Sequence, residues 1–234
     1  RALDFLKSDY LLNARPELGA STLPDGKAYY AYLVRRNTGT DMTPEEVFAL
    51  GESEVARIRS EMDAAMRASG FEGSFADFLA YLRTDPRFYP ADLQDAIEKA
   101  SEIAKRADYL LPQYFETMPR LTYGVVLKPP ELEGTTGGYF LGDPAAGIAG
   151  QVVMGRSADK TPLYSQPAWV LHEGVPGHHL QIALGQEMPD LPAFRRTDEL
   201  TVFVVHWALY SEKLGVEMGM YRDPYEDFGR LSYK

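Results

Sequence analysis

Leu93, Ile97, Ala100, Ile103 and Ala104 recur at the three- and four-residue spacing of one helix face within "ADLQDAIEKASEIAKRADYLL", a segment that Pro90 opens. Upstream, "TPEEVFALGESEVARIRSEMDAAMRASG" predicts a long surface helix: Thr43 can cap it, Pro44 suits its first position, Glu46 completes a capping box and Gly70 stops it. Ser74 starts another helix ahead of "FADFLAYLRTD". The first 40 residues mix short apolar groups with turn chemistry and predict one or two short helices and a loop. Between Leu121 and Arg156 the pattern changes to short β-prone runs, "LTYGVVLKPP", "GGYFLGD" and "GQVVMGR", divided by Gly and Pro, which predict a small sheet. Helical signals return with "SQPAWVLHE". A stretch from Leu200 to Tyr210, continued by "SEKLGVEMGMY", is apolar on nearly every side and is expected to be a buried helix.

The expected fold is therefore mainly α (α+β), with the small sheet preceding the last helices. Residues 1–234 are expected to form a single domain or part of one, helical over 1–112, sheet-bearing over 113–159, and helical again over 160–234. With 45% hydrophobic and 25% charged residues, the chain can bury a sizeable core. Its net charge of −10 repels phosphate backbones and anionic lipid, so no nucleic acid partner and no membrane insertion are expected. Without cysteine there is neither a disulfide framework nor a thiolate metal cage, so any metal must use His, carboxylate and water. No apolar run approaches the roughly 20 residues needed to span a bilayer, and the amino terminus lacks the layout of a signal peptide. The chain starts at Arg1 rather than methionine; an excised or processed segment is expected, and the compartment stays open.

All four histidines, His172, His178, His179 and His206, fall in the last third of the chain. In the zinc-peptidase pattern HExxH, residues i and i+4 share a helix face and aim two imidazoles at one ion, while the intervening Glu handles the water. "HEGVPGHHLQ", His172 to Gln181, has the wrong spacing by two. On an unbroken helix His178 would sit about 9 Å along the axis from His172 and His179 about 10.5 Å. Pro176 alters this, because its ring would collide with the carbonyl of His172 four residues back. Gly177 permits backbone angles that other residues resist. If the turn swells by two residues, His178 takes the i+4 role and Glu173 lies near a metal-bound water. The bland alternative is a bent helix whose histidines are hydrogen-bonded in the core. His179 is a candidate either for a ligand or for a group behind the ligands.

The motif "HEGVPGHHLQ", followed by "WALYSEKLGVEMGMY", resembles the bacterial DUF885 family, whose hallmarks are an HEGxPGHHxQ-type sequence and an aromatic-rich WALYxExLG helix. "DPYEDFGRLSY" and "GTDMTPEEVFALGESEVARI" are similar too, and the resemblance covers most of the chain. Family members extend beyond both ends of such a segment. The resemblance implies a helical, zincin-like architecture related to gluzincins, in which a small sheet precedes the zinc helix and offers an edge strand to a peptide. It also implies Zn2+ as cofactor and a peptide or small amide as substrate.

One departure stands out. Where the family reads FVEGWALY, with a Glu placed to be the third ligand, this chain reads "FVVHWALY", so Val205 replaces the Glu and His206 the Gly. Glu212 shares the face of Val205 two turns on, and Glu199 the face of His206 in the other direction. Three outcomes stay open: a site shifted onto His206, a weak two-ligand site, or a scaffold without metal.

Tyr210, one turn after His206, is a candidate hydrogen-bond donor to an oxyanion or a core tyrosine. Arg230 is a candidate for holding a substrate carboxylate or for a structural salt bridge. Trp207 and the nearby methionines read as packing. "GTTGG" and "DPAAGIAG" match no phosphate loop, and no GxSxG elbow occurs, so neither nucleotide binding nor serine hydrolysis is supported. The expected function is a metal-dependent hydrolase, a zinc metallopeptidase-like protein cleaving peptide or amide bonds. His172 and His178 would hold the ion with His179 or His206, and Glu173 would act as base. The alternative is a catalytically inactive scaffold or binding module.

Overall fold

The computed structural model describes residues 1–132, 137–197 and 200–233. Glu199 and the start of the "GTTGG" run lie outside the described residues. The chain forms two compact units, Arg1–Ser53 and Glu54–Lys234.

The first unit holds helical turns α1 (Ala2–Phe5) and α2 (Leu11–Asn13) with a π turn between them, then α3 (Gly26–Thr38) and the start of α4 (Pro44–Ala68). Many of its large apolar side chains, Leu3, Leu12 and Leu18 among them, are exposed. The capping box of α4 forms from its local residues: the Thr43 N–H donates to Glu46 Oε2 at 2.8 Å, and the Glu46 N–H donates back to Thr43 Oγ1 at 3.2 Å.

In the second unit, α4 runs out at Gly70, whose φ of +74° takes the left-handed turn. α5 (Phe75–Thr84) starts from a Ser74–Asp77 capping box. α6 (Leu93–Leu110) begins three residues after Pro90, because the Asp92 side chain caps it by accepting from the Asp95 N–H at 2.9 Å. The α6 stripe of Ala96, Ala100, Ile103, Ala104 and Ala107 is buried. One core joins it to Met154, Val170, Leu171, Leu180 and Leu214. A second, aromatic core gathers Phe78, Leu82, Phe88 and Phe228, with Phe78 and Phe228 edge-to-face at 5.0 Å.

The sheet has three strands, β1 (Tyr123–Leu127), β2 (Gly138–Phe140) and β3 (Gly150–Met154), in the order β1-β3-β2. β1 pairs parallel to β3, with Val125 opposite Val152. β2 pairs antiparallel to β3, with Tyr139 opposite Val152, and forms one edge. α7 (Gln166–Glu173), α8 (His178–Gln186), α9 (Ala193–Thr197), α10 (Thr201–Glu217) and α11 (Pro224–Ser232) follow. The fold is thus mainly helical with a small sheet ahead of the motif helices.

The expectation for Leu200–Tyr210 is corrected. Phe203, Val205, Leu209 and Tyr210 are exposed on α10. The buried face is instead Ala208, Ser211, Glu212, Leu214 and Gly215, mostly small residues with one leucine and one carboxylate. A Cβ on Gly215 would meet Leu171 Cδ1 at 2.4 Å, so close packing against α7, as well as apolar character at Leu214, decides which face of α10 is covered. No described helix is long and apolar enough to cross a membrane.

Candidate metal centre

The motif spans the junction of α7 and α8. α7 stops at Glu173, and residues 174 to 177 form a turn with a cis Val175–Pro176 peptide before α8 starts at His178. The helix therefore breaks, where the sequence pattern suggested a two-residue swelling. The backbone groups freed by the break are re-bonded within it: the Gly177 N–H donates to the Leu171 carbonyl at 3.0 Å and the His179 N–H to the Gly174 carbonyl at 3.1 Å. Gly177 is required by proximity, since a Cβ there would lie 2.0 Å from the His172 carbonyl oxygen. Trp207 of α10 secures the turn by donating its indole N–H to the Pro176 carbonyl at 2.8 Å.

This turn brings His172 and His178 edge-to-face, with ring centroids 4.8 Å apart. Ligand atoms of His172, Glu173 and His178 all lie within 4.8 Å of one another, a cluster that could hold a metal ion. Behind it, His172 Nδ1 donates to Glu212 Oε1 at 2.7 Å, leaving Nε2 free. A carboxylate set behind an imidazole in this way fixes the ring and its tautomer and raises its basicity. Glu212 is 0% exposed and its Oε2 has no hydrogen-bond partner. His172 thus supplies the hydrogen bond that this buried carboxylate needs.

The neighbouring groups suit a cation as well. His178 Nδ1 is buried without a partner, and burial, followed by the proximity of His172, pushes the His178 pKa down to about 4. The ring is thus held neutral, as a ligand must be. Burial raises the Glu173 carboxyl above the usual carboxylate range, against the opposing pull of His172 and of the Tyr139 backbone N–H. That N–H comes from edge strand β2, which therefore runs beside Glu173.

The other predicted residues are placed elsewhere. His179 is buried, and both its ring nitrogens are occupied. Nε2 donates to the Leu121 carbonyl at 3.0 Å, so Nδ1 accepts from the Tyr139 hydroxyl at 3.0 Å. It secures β2 from behind and has no lone pair left for an ion. His206 is exposed on α10, outside the cluster. Val205, where the resemblance puts a ligand, is 39% exposed on the same helix. Tyr210 is half exposed and lies tilted against Trp207, ring centroids 5.8 Å apart. Arg230 is buried, its guanidinium donating to Asp227 Oδ1 at 2.7 and 2.9 Å, with Glu61 Oε2 at 3.9 Å.

Two residues near the cluster escaped the sequence reading. Tyr233 meets His172 edge-on, with ring centroids 5.9 Å apart, and lines a cavity together with Glu173. Burial, with the negative charge of Glu173 and Glu212 nearby, pushes its phenol up to about 12. Its only signal was its place at the end of "FGRLSY". Tyr139 had none, because nothing local to "GGYFLGD" points to a histidine 40 residues away.

The chain is similar to a solved structure described as "The crystal structure of the putative lipoprotein from Colwellia psychrerythraea". The two share 29% identity and a TM-score of 0.87 over 99% of this chain and 41% of that one. The chain thus spans about two fifths of that protein's length. No curated protein sequence matches it. The family described as "Bacterial protein of unknown function (DUF885)" matches over residues 1–234, the whole of the sequence that builds the α7–α8 turn and the helix behind it. By that match the chain belongs to the DUF885 family.

Proposed function

We propose that this protein is a metal-dependent hydrolase, a zinc metallopeptidase-like enzyme that cleaves peptide or related amide bonds. The observation that carries the reading is the convergence of His172, Glu173 and His178 at a broken helix, with buried Glu212 hydrogen-bonded behind His172. His172 and His178 would hold the ion. A zinc ion held there supplies Lewis acidity toward a water and a carbonyl oxygen.

The chain's own residues divide the remaining work. Glu173, its carboxyl raised by burial, takes the proton of the attacking water and passes it to the leaving amine. Glu212 keeps the His172 ring in register. Edge strand β2, beside Glu173, is where an extended substrate would lie. Tyr233, kept protonated, is better placed than Tyr210 to donate a hydrogen bond to the oxygen on which charge develops.

Glu173→Gln tests this assignment. The variant is expected to retain zinc, measured by elemental analysis, and to lose hydrolysis of a mixed peptide library. Undiminished activity would remove Glu173 from the mechanism. Val205 supports the rival reading of a scaffold, since a valine supplies no third ligand. Purified protein that is metal-free and whose melting temperature ignores both zinc and chelator would favour that rival.

A further inference from the structure

Tyr139 reaches both sides of the α7–α8 break. Its backbone N–H donates to the carboxylate of Glu173, the last residue of α7, and its hydroxyl donates to Nδ1 of His179, the second residue of α8, at 3.0 Å. A Cβ built on the preceding Gly138 would lie 3.9 Å from Glu173 Oε2, so the strand passes directly beside that carboxylate. Residues 174 to 177 belong to neither helix. One strand residue therefore ties together two helix ends that no continuous helical ladder joins.

The His179 end of this tie is firmly held. Its Nε2 donates to the Leu121 carbonyl at 3.0 Å, and its ring lies against Tyr123 with centroids 4.5 Å apart. The segment that supplies Leu121 is fastened to the far end of α8, where Glu187 Oε1 accepts the N–H groups of Arg120 and Leu121 at 2.7 and 3.2 Å. Burial pushes the Tyr139 phenol up to about 12, so it stays protonated and can donate. Gly150 of β3 leaves the room this pair needs: a Cβ there would stand 2.5 Å from the Tyr139 hydroxyl oxygen and 2.7 Å from His179 Nδ1. At the other end a glutamate side chain rotates freely about its torsions, and an ordered donor on its carboxylate decides where it rests.

We propose that Tyr139 is a positioning residue, a brace across the broken helix that holds the Glu173 carboxylate in a fixed place relative to His178. His179 is its anchor, one residue along from the ligand, so the base and the ion are referenced to the same turn of α8. The assignment rests on the hydrolase reading above.

Two measurements on the full chain separate the brace from that reading. In the first, kcat and KM of zinc-loaded protein are measured on the best-cleaved member of a peptide library. Tyr139→Phe deletes only the hydroxyl, and Gly150→Ala wedges a methyl group between the hydroxyl and the imidazole. Each is expected to lower kcat about tenfold, the factor carried by one hydrogen bond of ordinary strength, with KM and zinc affinity unchanged. In the second, hydrogen exchange of the residue-139 amide is followed by NMR in metal-free protein, with Glu173→Ala marking the rate without an acceptor. Both variants should speed this amide about tenfold toward that rate and leave amides in the middle of α8 and β3 unchanged. That exchange pattern without any turnover would leave the brace standing and sink the hydrolase. Turnover with kcat unchanged in both variants would sink the brace and leave the hydrolase. Faster exchange spread equally over β3 and α8, or a residue-139 amide as fast in the unmodified chain as in Glu173→Ala, would likewise overturn the brace.

Discussion

Gly177→Ala probes the step on which the candidate centre depends, the close passage of the α7–α8 turn over the last residues of α7. A Cβ at this position would stand 2.0 Å from the His172 carbonyl oxygen, 2.4 Å from the Leu171 carbonyl oxygen and 2.6 Å from the His172 carbonyl carbon. Carbon-to-oxygen contacts begin at about 3.3 Å, so the first falls short by about 1.3 Å. All three atoms are backbone, and no rotamer change relieves them. The end of α7 must therefore separate from the start of α8 by about 1 Å, and these two ends carry His172 and His178. Ligand distances tolerate only about 0.2 Å. Zinc affinity is expected to fall at least a hundredfold, about 2.7 kcal/mol. Overpacking of this kind costs about 1–3 kcal/mol of stability. For a chain of this size that lowers the melting temperature by roughly 2–12 °C. Gly185→Ala is the control: it lies on α8 with nothing within 4 Å of its virtual Cβ, and should stabilise by about 0.5–1 kcal/mol. Thermal melts by circular dichroism and zinc titration against a competing chelator read both effects. If Gly177→Ala melts and binds zinc like the unmodified protein, the turn does not set the histidine spacing.

Glu212→Ala removes the acceptor of His172 Nδ1 and should weaken zinc binding by about 10–100-fold, with Glu212→Gln losing less; equal affinity in all three would deny Glu212 its orienting role. Val205→Glu places a carboxylate where the resemblance locates the third ligand, and the same titration should show zinc affinity raised by about tenfold or more; an unchanged value would place position 205 outside the ion's reach. Burial holds His178 and His179 near 4 in the fold, below the roughly 6.5 of an unfolded histidine. The unfolded chain therefore binds protons first, so their contribution to the stability of metal-free protein is complete above about pH 6.5 and is lost as the pH falls toward 4. Glu173, raised by burial, opposes this in part by taking its proton earlier in the folded state. Urea melts in chelator across that window should show a falling midpoint, and a flat profile would contradict the burial of the two rings.

What could be read along the chain was what neighbours in sequence decide. The Thr43–Glu46 and Ser74–Asp77 caps, the three β-prone runs and the interruption at Pro176 each depend on residues within a few positions of one another. The covered face of α10 does not. Its apolar positions outnumber those that are covered, and steric fit at Gly215 against Leu171 helps select a face that also buries Ser211 and Glu212, which hydropathy would assign to the surface. Arg230 shows the same limit for charge, because its partner Asp227 is local but its burial depends on packing that the motif does not encode.

The choice between the two adjacent histidines was decided at longer range still. His178 and His179 are successive residues of one helix, and burial drives both pKa values down to about 4. Spacing from Pro176 could not rank them, since either can be brought near His172 by some deformation of the turn. Their hydrogen-bond partners rank them. The Leu121 carbonyl, 58 residues upstream, takes the Nε2 hydrogen of His179, which obliges its Nδ1 to accept from Tyr139, 40 residues upstream. A ring with both nitrogens engaged has no lone pair to donate. His178 Nδ1 is left buried without a partner beside His172. The strand that occupies His179 is the strand whose backbone N–H reaches Glu173, so the sheet both withholds one histidine from the cluster and sets Glu173 beside the other.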